Sequence, residues 1–128
     1  MRENRGSARQ RGYTPRWDKA ATTFKTRHPY CLGCQAIGER RATEVVDHVE
    51  PHKGDQAKFW NTSMWQPACR HCHDVIKKML ERLFEAGECK LADLWLNSPL
   101  AISLRRRHRP IERIGTDGWP AQGGASSL

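Results

Sequence analysis

Nowhere in its 128 residues does the chain stay apolar for the roughly 18 positions that a membrane-spanning helix needs. Its opening stretch, MRENRGSARQRGYTPRW, contains no apolar segment, so a secretory signal is not expected. The expected location is therefore cytoplasmic, with no membrane partner. Apolar side chains are scarce: hydrophobic residues make up 38% and the mean hydropathy is −0.79. Such a chain builds one domain with a modest core and calls for a staple other than apolar burial. Acidic residues are also few, 14 against 22 Lys and Arg, which leaves a net charge of +8 and a pI of about 9.7. An excess of this kind draws in polyanions, and nucleic acid is the partner it favours over a merely solubilising role. No internal repeat occurs.

Cysteine is present in a telling pattern. Cys31 and Cys34 form one CxxC pair, Cys69 and Cys72 another, and Cys89 stands alone. In a reducing compartment such thiols bind metal more readily than they pair. Two tight CxxC loops bring four thiolates to the corners of a tetrahedron, the closed shell of a structural zinc site. The residues between the pairs must then fold back as a compact hairpin. A closed shell leaves no coordination position for chemistry. Cys89 reads as a small apolar residue in a turn between helices.

Along the chain, residues 1–12 read as a flexible basic arm. Tyr13, Trp17, Ala20 or Ala21, and Phe24 recur at helical spacing, with Thr14 as cap, Pro15 in the first turn and an end near His28 before Pro29. The β-branched TEVVDHVE predicts a strand over 43–50, and HKGDQ a turn with Gly54 at its tip. AKFWNTSMW reads as a short, irregular or weakly extended return. A long helix is expected from His71, with Gly87 at its C-terminal cap. Leu91, Leu94 and Trp95 suggest a short helix, and Ser98-Pro99 starts another that runs into LRRRHRP. The organisation expected is the arm, a domain over 13–86, a helical extension with a basic run over 87–114, and a disordered tail over 115–128.

Asp47, His48 and His73 remain after the cysteines are assigned. If the knuckles tie strand and helix together, a carboxylate and an imidazole can share an open second metal while the neighbouring imidazole acts as a base. That set suits phosphodiester hydrolysis: a histidine deprotonates water near neutral pH, and a divalent metal meets the charge on phosphate and leaving oxygen. A regular strand sends Asp47 and His48 to opposite faces, so the arrangement demands a bulge or a strand end there. The bland alternative makes both ordinary surface residues beside a zinc ribbon.

CLGC, VVDHVEPHKGD and FWNTSMWQPACRHCHD together resemble the HNH endonuclease family, above all its small zinc-stapled members from bacteriophages and prophages. The resemblance covers about residues 11–78. It implies a small α+β fold, a ββα-metal core with a four-cysteine structural zinc site, flanked by N-terminal and C-terminal helices. It implies metal-dependent hydrolysis of DNA, leaving 3′-hydroxyl and 5′-phosphate ends. Asp47 matches the carboxylate that holds the catalytic metal (Mg, Mn or Ni), His73 the second ligand, His48 the general base, and Cys31, Cys34, Cys69 and Cys72 the zinc set. The family's middle asparagine falls on Met64 here, which lacks the amide; Asn61 three residues earlier, Gln66 or backbone groups are the alternatives for holding the loop. Relatives sit beside terminase genes, so a phage terminase joins DNA as an implied partner.

The expected DNA contacts are His52 and Lys53 in the turn, His71 inside the second knuckle, and Arg105, Arg106, Arg107 and Arg109 at the end of the last helix. Arg113 follows them. The ordinary reading of that run is a solvated helix end, where cations are favourable. Two other functions stay open: a non-catalytic zinc-ribbon DNA-binding protein, which Met64 favours, and a module that recruits a terminase through its later helices.

Overall fold

The computed structural model describes residues 13–111. The basic arm over 1–12, the tail over 115–128 and Arg113 lie outside the described residues. The first helix, α1 (Pro15–Arg27), begins where expected: the Thr14 hydroxyl oxygen accepts the Trp17 N–H at 3.4 Å, and Pro15 fills the first helical position. It stops at His28, ahead of Pro29. Its inward face carries Trp17, Ala20, Ala21 and Phe24. The first knuckle follows as a single turn, α2 (Leu32–Gln35), with Cys31 at its head.

Strand β1 (Val45–His48) is shorter than the sequence suggests, because its partner β2 (Trp65–Ala68) supplies four residues only. The two pair antiparallel, Val45 with Ala68, Val46 with Pro67, Asp47 with Gln66 and His48 with Trp65. Between them the return segment is not extended. It forms a short helix, α3 (Gln56–Phe59), capped by the Asp55 carboxylate, and a 3-10 turn, Thr62–Met64, capped by Asn61. Pro67 hides β2 in the sequence. A two-stranded sheet has two free edges, and there a missing N–H is tolerated.

The long helix opens in the second knuckle with a π-helical segment, Cys72–Lys77, and continues as α4 (Lys78–Glu85). Gly87 ends it at φ +75°, and the Glu88 N–H reaches back to the Leu83 carbonyl at 2.8 Å, closing the terminus as Gly permits. A 3-10 turn, Leu91–Leu94, leads to α5 (Pro99–Arg107), whose start is fixed by the Ser98 oxygen accepting the Ala101 N–H at 3.0 Å.

The result is a small α+β fold with five α-helices and one two-stranded sheet among the described residues. Alternation along the strands gives the sheet two different faces. Val45 and Ala68 look towards the cysteines, Ile76, Leu80, Leu94, Leu96 and α5. Val46 and Trp65 look towards Trp17 and Phe59 under α1. None of the described helices is long and apolar enough to cross a membrane.

Candidate metal centre and candidate active site

The four knuckle cysteines converge. Cys31, Cys34 and Cys72 are fully buried, Cys69 nearly so, and their sulfurs all lie within 4.8 Å of one another. Cys34 Sγ is 3.7 Å from Cys69 Sγ and 3.9 Å from Cys72 Sγ. Disulfides are excluded at such separations, since an S–S bond is about 2 Å long. A tetrahedron of sulfurs around zinc, each about 2.3 Å from the metal, has edges of about 3.8 Å. The donor set and its spacing thus fit a zinc ion. Sequence explains how: Gly33 lets α2 approach the second knuckle, for a Cβ there would sit 2.9 Å from Cys72 Sγ. The three neighbouring sulfurs, Cys31 foremost, and then burial push the Cys72 thiol above its ordinary value. Four thiolates so close need a cation among them. Among the described residues no other group of three or more His, Cys, Asp or Glu side chains is placed to hold a metal. Cys89 stays outside the cluster, with its thiol towards the Leu80 carbonyl at 3.7 Å.

On the same face of the sheet lies Asp47, only 4% exposed. One carboxylate oxygen, Oδ2, accepts the Gln66 amide at 2.8 Å and faces Lys77 Nζ at 3.1 Å. The other, Oδ1, faces His73 Nε2 at 3.7 Å. The opposite ring nitrogen of His73 lies 2.8 Å from Asp74 Oδ1, and because a carboxylate only accepts, Nδ1 is the donor there while Nε2 points towards Asp47. Burial raises the Asp47 carboxyl above the ordinary range, against the pull of Lys77, Gln66 and His73.

Lys77 is a part of this site that sequence reasoning misses, and Gln66, an expected holder of the loop, is found instead on the Asp47 carboxylate. Lys77 is 1% exposed, and its ammonium also donates to the His48 carbonyl at 2.8 Å and to Glu81 at 2.9 Å. A signal for it exists: it stands four residues after His73, on the same helix face. Gln66 further holds the Leu94 carbonyl at 3.1 Å and, through its amide oxygen, the Leu96 N–H at 2.8 Å. It joins Asp47 to the chain ahead of α5.

His48 is the last residue of β1, on the opposite face from Asp47. There is no bulge within the four-residue register. Its ring stacks on Trp17 at 5.2 Å and packs against Phe59 and His52. Nε2 lies 3.0 Å from the Phe59 carbonyl, and because a carbonyl only accepts, Nε2 carries the proton and Nδ1 keeps its lone pair. Burial, and then the neighbouring His52, push its pKa down to about 4, so the ring is neutral at neutral pH. The Trp65 indole donates to the same Phe59 carbonyl at 2.9 Å.

The loop between the strands is held by other means than a middle amide on Met64. Met64 packs into the cysteine-side core, and its carbonyl accepts the Val49 N–H at 2.8 Å. Asn61 accepts from the Ser63 N–H at 3.2 Å and hydroxyl at 2.6 Å, which pins the turn but does not reach His48. Of the expected DNA contacts, Lys53, Arg106, Arg107 and Arg109 are exposed. His52 and His71 are half-buried, His52 accepting the Gly54 N–H at 3.0 Å and His71 bonded to the His108 carbonyl at 2.6 Å. Arg105 must be removed from that group. It is 1% exposed and turned inward against Glu39 and Cys34, where no phosphate can reach it.

Comparison with family models, with curated proteins and with solved structures finds no significant match to this chain.

Proposed function

We propose that the protein is a metal-dependent DNA endonuclease of the HNH type, with β1, β2 and the helix from Cys72 as a ββα-metal core. The observation that carries the reading is the facing of Asp47 Oδ1 and His73 Nε2 at 3.7 Å. An oxygen and a nitrogen donor so placed are disposed to share a cation, and the mixed set suits Mg, Mn or Ni. When bound, that ion supplies a positive charge for the phosphate and the leaving oxygen. The protein's own groups do the rest. Gln66 and Lys77 occupy Asp47 Oδ2 and so direct Oδ1 towards His73. Asp74 sets the His73 tautomer. The Phe59 carbonyl fixes the His48 ring with its proton on Nε2; because His48 ends β1 on the other face from Asp47, its Nδ1 serves as base only for a water at that strand end. Exposed arginines at the end of α5 add phosphate contacts outside the core.

Supercoiled plasmid incubated with the protein, with and without magnesium or manganese, tests this directly. Nicked or linear product is expected only with metal. His48→Ala is expected to lower the rate by about 100- to 10,000-fold while the protein stays folded. Full activity in that variant removes His48 from the mechanism, and no cleavage with any divalent ion sinks the nuclease reading.

Lys77 and Met64 favour a second reading, a zinc-ribbon DNA-binding protein without catalysis. An ammonium at 3.1 Å already balances the Asp47 charge, which leaves that carboxylate no need of a metal. In that case plasmid is retarded on a gel but stays supercoiled.

A further inference from the structure

We propose that Arg105 belongs to the metal centre: its guanidinium is the counter-charge to the metal-bound cysteine sulfurs, and through it the metal fastens α5 to the knuckles. Arg105 heads the fully buried side chains by volume. Its Nη2 lies 3.5 Å from Cys34 Sγ and 2.8 Å from Glu39 Oε1. Its Nε and Nη1 are buried without a hydrogen-bond partner among the described residues. A guanidinium withdrawn from water is costly unless opposite charge stands close by.

Glu39 alone does not account for the arrangement. Its side chain is 27% exposed, and a partly solvated carboxylate pairs with an arginine at the surface without drawing it under the fold. Four neutral thiols offer no charge at all. Four thiolates around a zinc dication carry a net negative charge in a water-free space, next to the guanidinium. Hydrogen bonding to a ligating sulfur holds the thiolate form and steadies the ligand. One residue of a basic run is thus turned inward, and this sets Arg106, Arg107 and Arg109 outward at the same helix end. The inference rests on metal in the four-cysteine site and is independent of nuclease activity.

Zinc-loaded protein, challenged with excess chelator, gives the test through the rate of zinc release. Cobalt-substituted protein gives a second readout, the sulfur-to-metal charge-transfer band. Arg105→Gln is expected to release zinc about 10- to 100-fold faster and to shift the band, the usual scale for losing a partner of a metal ligand. Arg105→Lys, which keeps the charge but on a shorter stem that falls short of the place of Nη2, where both Cys34 and Glu39 are met, is expected between the two. Glu39→Gln is expected to stay close to the wild-type rate with an unshifted band. Wild-type release and band in the Arg105 variants overturn the proposal. So does a Glu39→Gln protein that loses zinc as fast as Arg105→Gln, for Arg105 is then only an ion-pair anchor. Should Arg105→Gln fail to fold, Arg105→Lys decides: faster release supports the proposal and a wild-type rate overturns it. A wild-type chain that purifies without zinc overturns it as well, whatever the plasmid assay shows.

Discussion

The two faces of one small sheet are held by different physics. On one face the strands meet four sulfurs, a buried arginine and a buried lysine with its two carboxylates. On the other they meet an aromatic cluster built from Trp17, Phe59, Trp60 and Trp65, with His48 enclosed in it. The aromatic side needs nothing from outside: Phe59, Trp65 and Trp60 meet Trp17 edge to face at 4.8, 5.1 and 6.1 Å, and burial does the rest. The cysteine side is incomplete as protein, because sulfurs at van der Waals distance repel as thiolates and pack poorly as thiols. A chain with few apolar residues places its rings on one face and, on the other, four cysteines set to hold a metal.

The comparison is broken most severely at the cysteines. Cys69→Ser, or zinc removal by a strong chelator, is expected to unfold the domain, since structural zinc contributes on the order of 10 kcal/mol in small domains. Circular dichroism with elemental analysis checks this, and a folded, zinc-free Cys69→Ser protein contradicts the metal centre. On the aromatic face the largest single loss is expected from Phe59→Ala, about 3–5 kcal/mol in denaturant unfolding, with zinc content unchanged in the folded fraction. Zinc lost in step with that truncation would mean that the faces are one cooperative unit. Gly33→Ala sharpens the contrast within the metal face. The added methyl meets Cys72 Sγ, so a loss of about 1–3 kcal/mol is expected together with weaker zinc retention. The smallest effect on stability, near none, is expected from replacing Arg106, Arg107 and Arg109 by alanine. DNA affinity should fall across sequences, with a salt slope shallower by up to about 0.9 for each phosphate no longer neutralised. An unchanged slope returns these three to the role of a solvated helix end.

Much of this is legible in the residues. The CxxC spacing, the Thr14-Pro15 and Ser98-Pro99 helix starts and the Gly87 stop are local signals, and local chemistry settles them. β2 is not legible, because Pro67 contradicts a strand unless the sheet is known to be two strands wide. Asp47 and His73 show at the level of residue type, but their partners Gln66 and Lys77 become visible only once the sheet register and the helix phase are fixed. Arg105 misleads for a similar reason. Its neighbours in sequence are surface cations, and only the packing of α5 on α2 separates one buried guanidinium from the exposed ones beside it.

The stacking of His48 on Trp17 also gives the molecule an optical asymmetry. Trp17, Trp60 and Trp65 share the cluster around His48, and Trp17 lies 5.2 Å from the imidazole at 24° between planes. Indole emission is sensitive to the charge of a ring in van der Waals contact, so Trp17, Trp60 and Trp65 report the protonation and packing of that face, whereas Trp95 packs on the cysteine side. Metal–sulfur absorption reads the other. With Trp95 and Trp119 replaced by phenylalanine, the state of each half of the molecule can be followed in one cuvette with no label attached.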